Sequence, residues 1–272
     1  MMHWPSYLHR IRTLEIERVF RRCPHGVFPA GLELGAGDGY QSSLLERYVR
    51  RLTATDWDPR LLEKRQGATL DVLACDAERV GEKFGPATFD LVFSSNLLEH
   101  LEHPGEALRG IYAVLRDDGV TIHIVPGPFW KVCDVGLFWP AKMLTRLHRR
   151  ARQETGGGEP APPPLTNNPK TAGATRQCKF LPPPHGAYRG HLEELLAFRT
   201  FRWMKEFERA GFRVVRLQKG PACSGYGFGW ERLRGVLERV GLTTEYAYIA
   251  VKRGRRSPYE RYFSLDARGV AG

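Results

Sequence analysis

The sequence lacks any long apolar run and has little cysteine. No stretch of about 18 consecutive apolar residues occurs in the 272 residues, which excludes a predicted transmembrane helix. Residues 1–6 lack the apolar core of a secretory signal peptide. The five cysteines are scattered without a C-x-x-C pair, a pattern that argues against a disulfide framework or a zinc site. These absences lead us to expect a soluble, cytoplasmic protein with reduced thiols.

Basic residues outnumber acidic ones, 41 lysines and arginines against 30 aspartates and glutamates, for a formal net charge of +11. A surface of this sign attracts nucleic acid, anionic membranes and phosphorylated substrates. The arginines are spread over the whole chain, so a solvated basic surface explains them equally well. The length and a hydrophobic content of 42% predict one full core with an elaboration.

One stretch, residues 31–40 (GLELGAGDGY), organises the chain. The apolar run that ends in Leu34 predicts a buried strand, and the three alternating glycines that follow predict a tight turn. Residues 41–50 then have apolar side chains at helical spacing. A strand, a glycine-rich turn and a helix open a doubly wound α/β sheet, in which ligands bind at the carboxyl ends of the strands.

The glycine spacing narrows the choice of ligand. The pattern here is E-x-G-x-G-x-G, and bulky Tyr40 stands where the dinucleotide fingerprint G-x-G-x-x-G requires its third glycine. Glu33 would repel a pyrophosphate, whereas it suits a ligand with an ammonium or sulfonium cation. The stretch resembles the first motif of the class I S-adenosylmethionine-dependent methyltransferases.

A second stretch strengthens this resemblance. Residues 89–94 (FDLVFS) predict the fourth strand, and the following L-E-H-L segment, residues 98–101, resembles the fourth motif of small-molecule methyltransferases of the type 11 group. Residues 95–98 lack the N-P-P-[YF] or D-P-P-[YF] pattern of enzymes that methylate the exocyclic amines of bases. The resemblance covers residues 27–125 and 196–253. It implies an α/β, Rossmann-like, doubly wound sheet of seven mostly parallel strands, with S-adenosyl-L-methionine as the cofactor.

The ends of the predicted strands supply the candidate cofactor-binding residues. Asp56 ends the second strand, 19 positions after Gly37, where a carboxylate can accept from both ribose hydroxyls. Asp58 is the alternative, although Asp58 followed by proline is typical of a helix N-cap. The resemblance implies that Asp76 contacts the adenine amino group and Ala77 the ring; alternatively, Asp76 caps the segment that follows. The full set is Glu33, Gly35, Gly37, Asp56, Trp57, Asp76, Ala77, Ser94 and Ser95, with the two serines acting through backbone contacts.

We expect one domain over residues 1–272 with two additions to the family pattern. Residues 1–26 predict an N-terminal helical brace, for which closing the cofactor cleft is an equal alternative. Residues 126–195 predict a lid or substrate insertion over the carboxyl edge of the sheet, after the fifth strand. Within the insertion, residues 153–184 are rich in proline and glycine and predict a flexible loop.

Methyl transfer from a sulfonium is an in-line displacement, for which a protein supplies positioning and a dry site. A hydroxyl acceptor also needs a general base, and histidine suits this role near neutral pH. The candidates are His100, after the fourth strand, and His185 and His191, at the edge of the insertion; a structural role for His100 is an equal alternative. His123 lies in an apolar run and predicts a core histidine. No acidic ligand cluster accompanies His100 and His103, so no metal is predicted.

The predicted function is therefore S-adenosylmethionine-dependent O-methylation of a small-molecule, glycan-type or lipid-linked acceptor. The alternatives are an RNA methyltransferase, motivated by the charge although nucleic acid is not the expected partner, and a non-catalytic cofactor-binding scaffold. The aromatic and basic segment 129–150 predicts an acceptor pocket, a peripheral contact with an anionic membrane surface, or ordinary packing on the sheet. The sequence leaves the acceptor and the oligomeric state open.

Overall fold

A computed structural model of the chain describes residues 4–58, 60, 69–154, 181–182, 188, 190–223, 226–227 and 230–264. Seven strands form one sheet in the order β3-β2-β1-β4-β5-β7-β6. Strands β1 to β5 pair in parallel, and β7 lies antiparallel between β5 and β6. The predicted Rossmann-like, mostly parallel sheet is confirmed. The strands are β1 (Phe28–Leu34), β2 (Val49–Asp56), β3 (Leu70–Ala74), β4 (Phe89–Ser95), β5 (Leu115–Pro126), β6 (Phe212–Lys219) and β7 (Glu245–Lys252).

Helices cover both faces of this sheet, which explains why central strands such as β4 are buried along their whole length. On one face, Ile16 and Phe20 pack with the strand residue Phe93. On the other face, Ile111 and Trp203 pack with strand residues that include Val92. The helices are α1 (Trp4–Val19), α2 (Tyr40–Leu45), α3 (Val80–Lys83), α4 (Pro104–Val114), α5 (Pro128–Glu154), α6 (His191–Ala197), α7 (Thr200–Arg209), α8 (Glu231–Arg239) and α9 (Glu260–Phe263).

Two boundaries differ from the sequence prediction. Helix α2 ends at Leu45 rather than near residue 50, because Val49 already pairs with Phe28 as the start of β2. The sequence predicts a helix over residues 106–116 with a stop at residues 117–119 (DDG), but these three residues lie inside β5, where the Lys252 ammonium donates to an Asp117 carboxylate oxygen at 3.1 Å. A cross-strand charge pair of this kind makes a polar stretch compatible with a strand.

The segment after β5 begins as one long helix. Helix α5 runs through Pro140 to Glu154, two residues into the predicted flexible loop 153–184. Most of that loop lies outside the described residues, so the lid remains a prediction. No helix among the residues that the structure describes is both long enough and apolar enough to span a bilayer.

Candidate cofactor and acceptor site

The glycine-rich loop joins β1 to α2 at the carboxyl edge of the sheet. Gly35, Gly37 and Gly39 have φ angles of 71°, 58° and 73°, a left-handed conformation that favours glycine. A Cβ atom at Gly35 would lie 2.9 Å from the Leu97 side chain, so this glycine is needed for packing. A Cβ atom at Gly37 would meet no atom of the described residues within 4 Å. The loop therefore leaves open space above Gly37, on the side where a ligand can approach the backbone.

Asp56 lies at the tip of β2 and contacts this loop directly. Its Oδ2 accepts a hydrogen bond from the Gly37 N–H at 2.9 Å, and its Oδ1 accepts from the Asp58 N–H at 3.1 Å. Asp58 instead pairs with the Arg60 guanidinium, whose hydrogen bond lowers the pKa of that carboxyl. The Asp58 carboxylate thus pairs with Arg60, whereas the Asp56 carboxylate is hydrogen-bonded to the glycine-rich loop. The helix predicted after Pro59 lies outside the described residues.

Asp76, which the sequence predicts to contact adenine, already forms a hydrogen bond within the protein. An Asp76 carboxylate oxygen accepts from the Glu78 N–H at 3.0 Å and caps the short 3-10 helix Ala77–Arg79. The capping alternative raised by the sequence is therefore present, and the contact of Asp76 and Ala77 with adenine stays a prediction. Trp57, next to Asp56, has a side chain that is 68% exposed and available to a ligand.

Glu33 lies beneath the loop rather than on its open face. The carboxyl is buried and accepts a hydrogen bond from the Ser42 hydroxyl of α2 at 2.5 Å. Burial raises its pKa to about 7, and the charges of Asp38 and Asp56 add to this rise. A cation bound above the loop would favour the ionised form, as the sequence argument requires.

Helix α1 is tied to the same edge of the sheet by a buried charge pair. The Arg12 guanidinium donates to Glu15 at 2.7 Å and to the Ser95 hydroxyl, at the end of β4, at 2.8 Å. The other Glu15 oxygen accepts from the Gln41 amide at 2.9 Å and from the Ser95 hydroxyl at 2.8 Å. These contacts join α1, the end of β4 and the first turn of α2, although the sequence identified neither Arg12 nor Glu15.

Two further contacts hold α1 against the glycine-rich loop. The His9 ring lies 2.8 Å from an Asp38 carboxylate oxygen, and the Thr13 hydroxyl lies 2.8 Å from the Tyr40 hydroxyl. The His9 and Tyr40 rings also stack, with centroids 3.8 Å apart. The N-terminal helix thus covers one side of the loop, which supports the alternative in which it closes the cofactor cleft.

The expectation for His123 is confirmed. Its Nδ1 lies 2.7 Å from the Ser94 hydroxyl and its Nε2 lies 2.6 Å from the Thr121 hydroxyl. Complete burial lowers the pKa of this imidazole to about 3, so it stays neutral. The Ser94 side chain is consequently directed to the core, which leaves its backbone for any ligand contact.

The three candidate bases lie in different surroundings. His100 follows β4 and is one-third exposed, and burial together with the Arg12 charge lowers its pKa to about 4. His191 opens α6, within range of the charges on Lys131 and Asp134, and burial lowers its pKa. His185 lies outside the described residues. Of the two candidates that the structure describes, His100 is the one that follows the end of a parallel strand, where a methyl donor is expected.

Two buried glutamates at this edge were not predicted as site residues. Glu99 is 1% exposed, and neither carboxyl oxygen has a hydrogen-bond partner among the residues that the structure describes. Burial raises its pKa to about 8. Glu245, the first residue of β7, lies opposite Pro126 at the end of β5. Burial and the neighbouring Glu15, to which it is hydrogen-bonded, raise its pKa well above the usual range.

The raised pKa of Glu99 predicts that the stability of the protein depends on pH. A glutamate in the unfolded chain ionises near pH 4.5, whereas the folded protein holds this proton up to about pH 8. Between these pH values only the folded state binds the proton, so the free energy of unfolding falls as the pH rises. We expect Glu99→Gln to reduce this fall by up to about 1.4 kcal/mol per pH unit.

Urea unfolding of the two proteins at pH 5, 6, 7 and 8 measures the difference. Glu106→Gln, on the exposed face of α4, is the matched control and should keep the wild-type dependence, since its side chain is 58% exposed. A wild-type slope in Glu99→Gln would contradict the raised pKa.

The described part of the insertion has an ionic cluster between α5 and α6. The Lys131 ammonium lies 2.9 Å from an Asp134 oxygen and 2.7 Å from a Glu194 oxygen. The Tyr226 hydroxyl donates to Asp134 at 2.9 Å. Elsewhere on α5, Val132, Trp139 and Met143 are exposed, and a membrane contact through them stays a prediction. Within the described ranges, no three His, Cys, Asp or Glu residues are grouped to hold a metal ion.

Comparisons with known proteins agree with this geometry. A family model described as a methyltransferase domain matches residues 32–123. The mitochondrial arginine-hydroxylase NDUFAF5 of Danio rerio is 33% identical over 101 residues, which are 37% of this chain and 32% of that protein. The ubiquinone biosynthesis O-methyltransferase of Yersinia enterocolitica is 28% identical over 119 residues, 41% of this chain and 48% of that protein. The matches therefore span about a third to a half of the relatives' own lengths.

Solved structures extend the comparison to most of the chain. An S-adenosylmethionine-dependent methyltransferase from Mesorhizobium loti superposes with a TM-score of 0.52, covering 88% of this chain and 99% of that one. The two sequences are 12% identical, so the likeness concerns the fold alone.

Proposed function

We propose that the protein is an S-adenosylmethionine-dependent enzyme that transfers a methyl group to an oxygen atom of a small-molecule or glycan-type acceptor, because residues 32–123 match a methyltransferase-domain model. S-adenosylmethionine is the cofactor of this domain. When bound, it supplies an activated methyl group for in-line displacement, so the chain itself must bind, orient and exclude water.

The observation that supports the proposal is the pairing of Gly37 with Asp56. The open space above Gly37 accommodates a ligand close to the backbone. The Asp56 carboxylate stands beside that space at the carboxyl end of β2, where both its oxygens retain lone pairs for ribose hydroxyls. Both features fit an adenosine-bearing ligand, and the buried Glu33 below the loop fits a ligand with a positive charge.

Other residues would position the ligand and exclude water from the site. The Arg12–Glu15 pair holds α1 across the end of β4, where it can shield the reacting atoms from water. The backbone at Ser94 and Ser95 ends β4 beside it, with the Ser95 hydroxyl already engaged by α1. Trp57, Asp76 and Ala77 complete the proposed adenosine side.

A hydroxyl acceptor needs a group that takes up its proton, and we assign this role to His100. Its imidazole is neutral at physiological pH, which is the form that accepts a proton, and an anionic group bound nearby would raise its lowered pKa toward the range of an efficient base. Oxygen as the acceptor atom agrees with the O-methyltransferase of Yersinia enterocolitica to which the chain is similar. A cytoplasmic location agrees with the four cysteines that the structure describes, which are all free thiols.

Titration calorimetry with S-adenosylmethionine, S-adenosylhomocysteine and NADH tests the proposal. We expect the first two to bind and NADH not to bind. Asp56→Ala should weaken S-adenosylmethionine at least about tenfold, because hydrogen bonds to a charged carboxylate are lost. Asp58→Ala is the matched control, since that carboxylate pairs with Arg60 instead. Binding of NADH alone, or equal losses in the two variants, would overturn the assignment.

A further inference from the structure

Three buried carboxyl groups meet at the edge where β4 and β5 end. Glu15 reaches this edge from α1 and contacts Ser95, and Glu245 is hydrogen-bonded to Glu15. Glu99 follows β4 in the 3-10 helix Leu98–His100 and lies within range of the charges on Arg12 and Glu15. The cluster adjoins the glycine-rich loop, since Glu15 also binds Gln41 of α2. It therefore borders the space where an acceptor must approach the cofactor.

Each of the following buried cations already forms an ion pair with a carboxylate. Arg12 pairs with Glu15, and Arg18, the other cation near Glu245, pairs with Glu238 at 2.7 Å. Lys131 lies between Asp134 and Glu194. Arg12 also lies within range of Glu99 and Glu245, so a single guanidinium acts on all three carboxyl groups. The cluster has more buried carboxyls than buried cations.

The burial of Glu99 without hydrogen bonds points to a ligand. A buried carboxyl without hydrogen bonds is costly, and most proteins satisfy such a group. Neither Glu99 oxygen has a hydrogen-bond partner in the described part of the chain, although the group is almost completely buried. The neighbouring His100 is one-third exposed and lies 3.9 Å from Glu99, so the cluster is close to the surface of the cleft. Tyr188 interacts electrostatically with Glu99, and its hydroxyl accepts a hydrogen bond from the Arg202 guanidinium at 3.0 Å.

We propose that Glu99 and Glu245 form a binding site for an ammonium or amidinium group of the acceptor, so that the substrate is a small cationic molecule. The inference rests on the proposed function, because it places the acceptor beside the cofactor. The cation replaces the protons that the two carboxyls hold in the unliganded protein. Ionised Glu99 and Glu245 then gain a cationic partner.

Matched pairs of probes test the inference on the protein saturated with S-adenosylhomocysteine. Each pair consists of a cation and a close uncharged analogue: tyramine with 4-ethylphenol, dopamine with 4-ethylcatechol, and benzamidine with benzamide. We expect at least one cation to bind tenfold or more tightly than its partner in titration calorimetry. Glu99→Gln, which keeps the side-chain shape, should abolish this preference, and Glu106→Gln should retain it. Glu245→Gln serves as a second variant at the same site.

The outcomes separate the inference from the proposed function. Equal binding within every pair, no binding of any cation, or a preference that survives in Glu99→Gln overturns the inference. Retained S-adenosylhomocysteine binding in those cases leaves the proposed function standing, whereas its absence in the wild-type protein overturns both. A tenfold loss of S-adenosylhomocysteine affinity in Glu99→Gln would place the ammonium of the cofactor, rather than that of the acceptor, at Glu99.

Discussion

Gly37→Ala is expected to lower the affinity for S-adenosylmethionine at least about a hundredfold, which corresponds to about 2.7 kcal/mol of binding free energy. The new methyl group meets no described atom of the protein within 4 Å, so it enters only the space that we propose for the cofactor. The Gly37 N–H also donates to Asp56, so a shift of the loop would displace the proposed ribose partner. Titration calorimetry measures the loss directly.

Gly254→Ala is the control for backbone strain. Gly254 has a φ of 75°, also faces open space, and lies in the turn after β7. Alanine in the left-handed region costs about 1–2 kcal/mol at either position, so the two variants should lose similar thermal stability. Only Gly37→Ala should lose the cofactor. If both variants bind as the wild-type protein does, the space above Gly37 is not the cofactor site.

The part of the site that the sequence predicted is local in the chain. A buried strand, a run of left-handed glycines and a helix fix the loop geometry within about a dozen residues. Parallel strands then bring their carboxyl ends to one edge, which places Asp56 beside Gly37 without knowledge of distant contacts. The histidine at position 123 was predictable for the same reason, since an apolar run of β5 surrounds it.

The missed residues depend on contacts between distant parts of the chain. Arg12 and Ser95 are 83 positions apart, and Glu245 reaches the edge only because β7 inserts antiparallel next to β5. An arginine and a glutamate three positions apart on an amphipathic helix are typical of an exposed ion pair. Their burial follows from the docking of α1 on β4, which the periodicity of α1 does not encode. For Glu99, the sequence shows an acid within the L-E-H-L segment, but only the fold reveals that this acid is buried.

Arg12→Ala should destabilise the protein by about 3 kcal/mol, because it leaves Glu15 buried without its cation. The two side chains are 19% and 0% exposed, so water compensates little for the loss. Arg10→Ala, on the same helix, removes a pair with Glu231 in which the arginine is half exposed, and should cost under about 1 kcal/mol. Urea unfolding at pH 7 compares the two variants.

A double variant separates stability from binding. Replacing Arg12 and Glu15 together by methionine removes both charges, and we expect it to recover most of the stability that Arg12→Ala loses. It also removes the contacts to Ser95 and Gln41 that hold α1 across the site. Affinity for S-adenosylmethionine should therefore fall below that of the wild-type protein although the stability is restored. Full recovery of both would mean that the pair serves folding alone, and equal stability of Arg12→Ala and Arg10→Ala would contradict the buried pair itself.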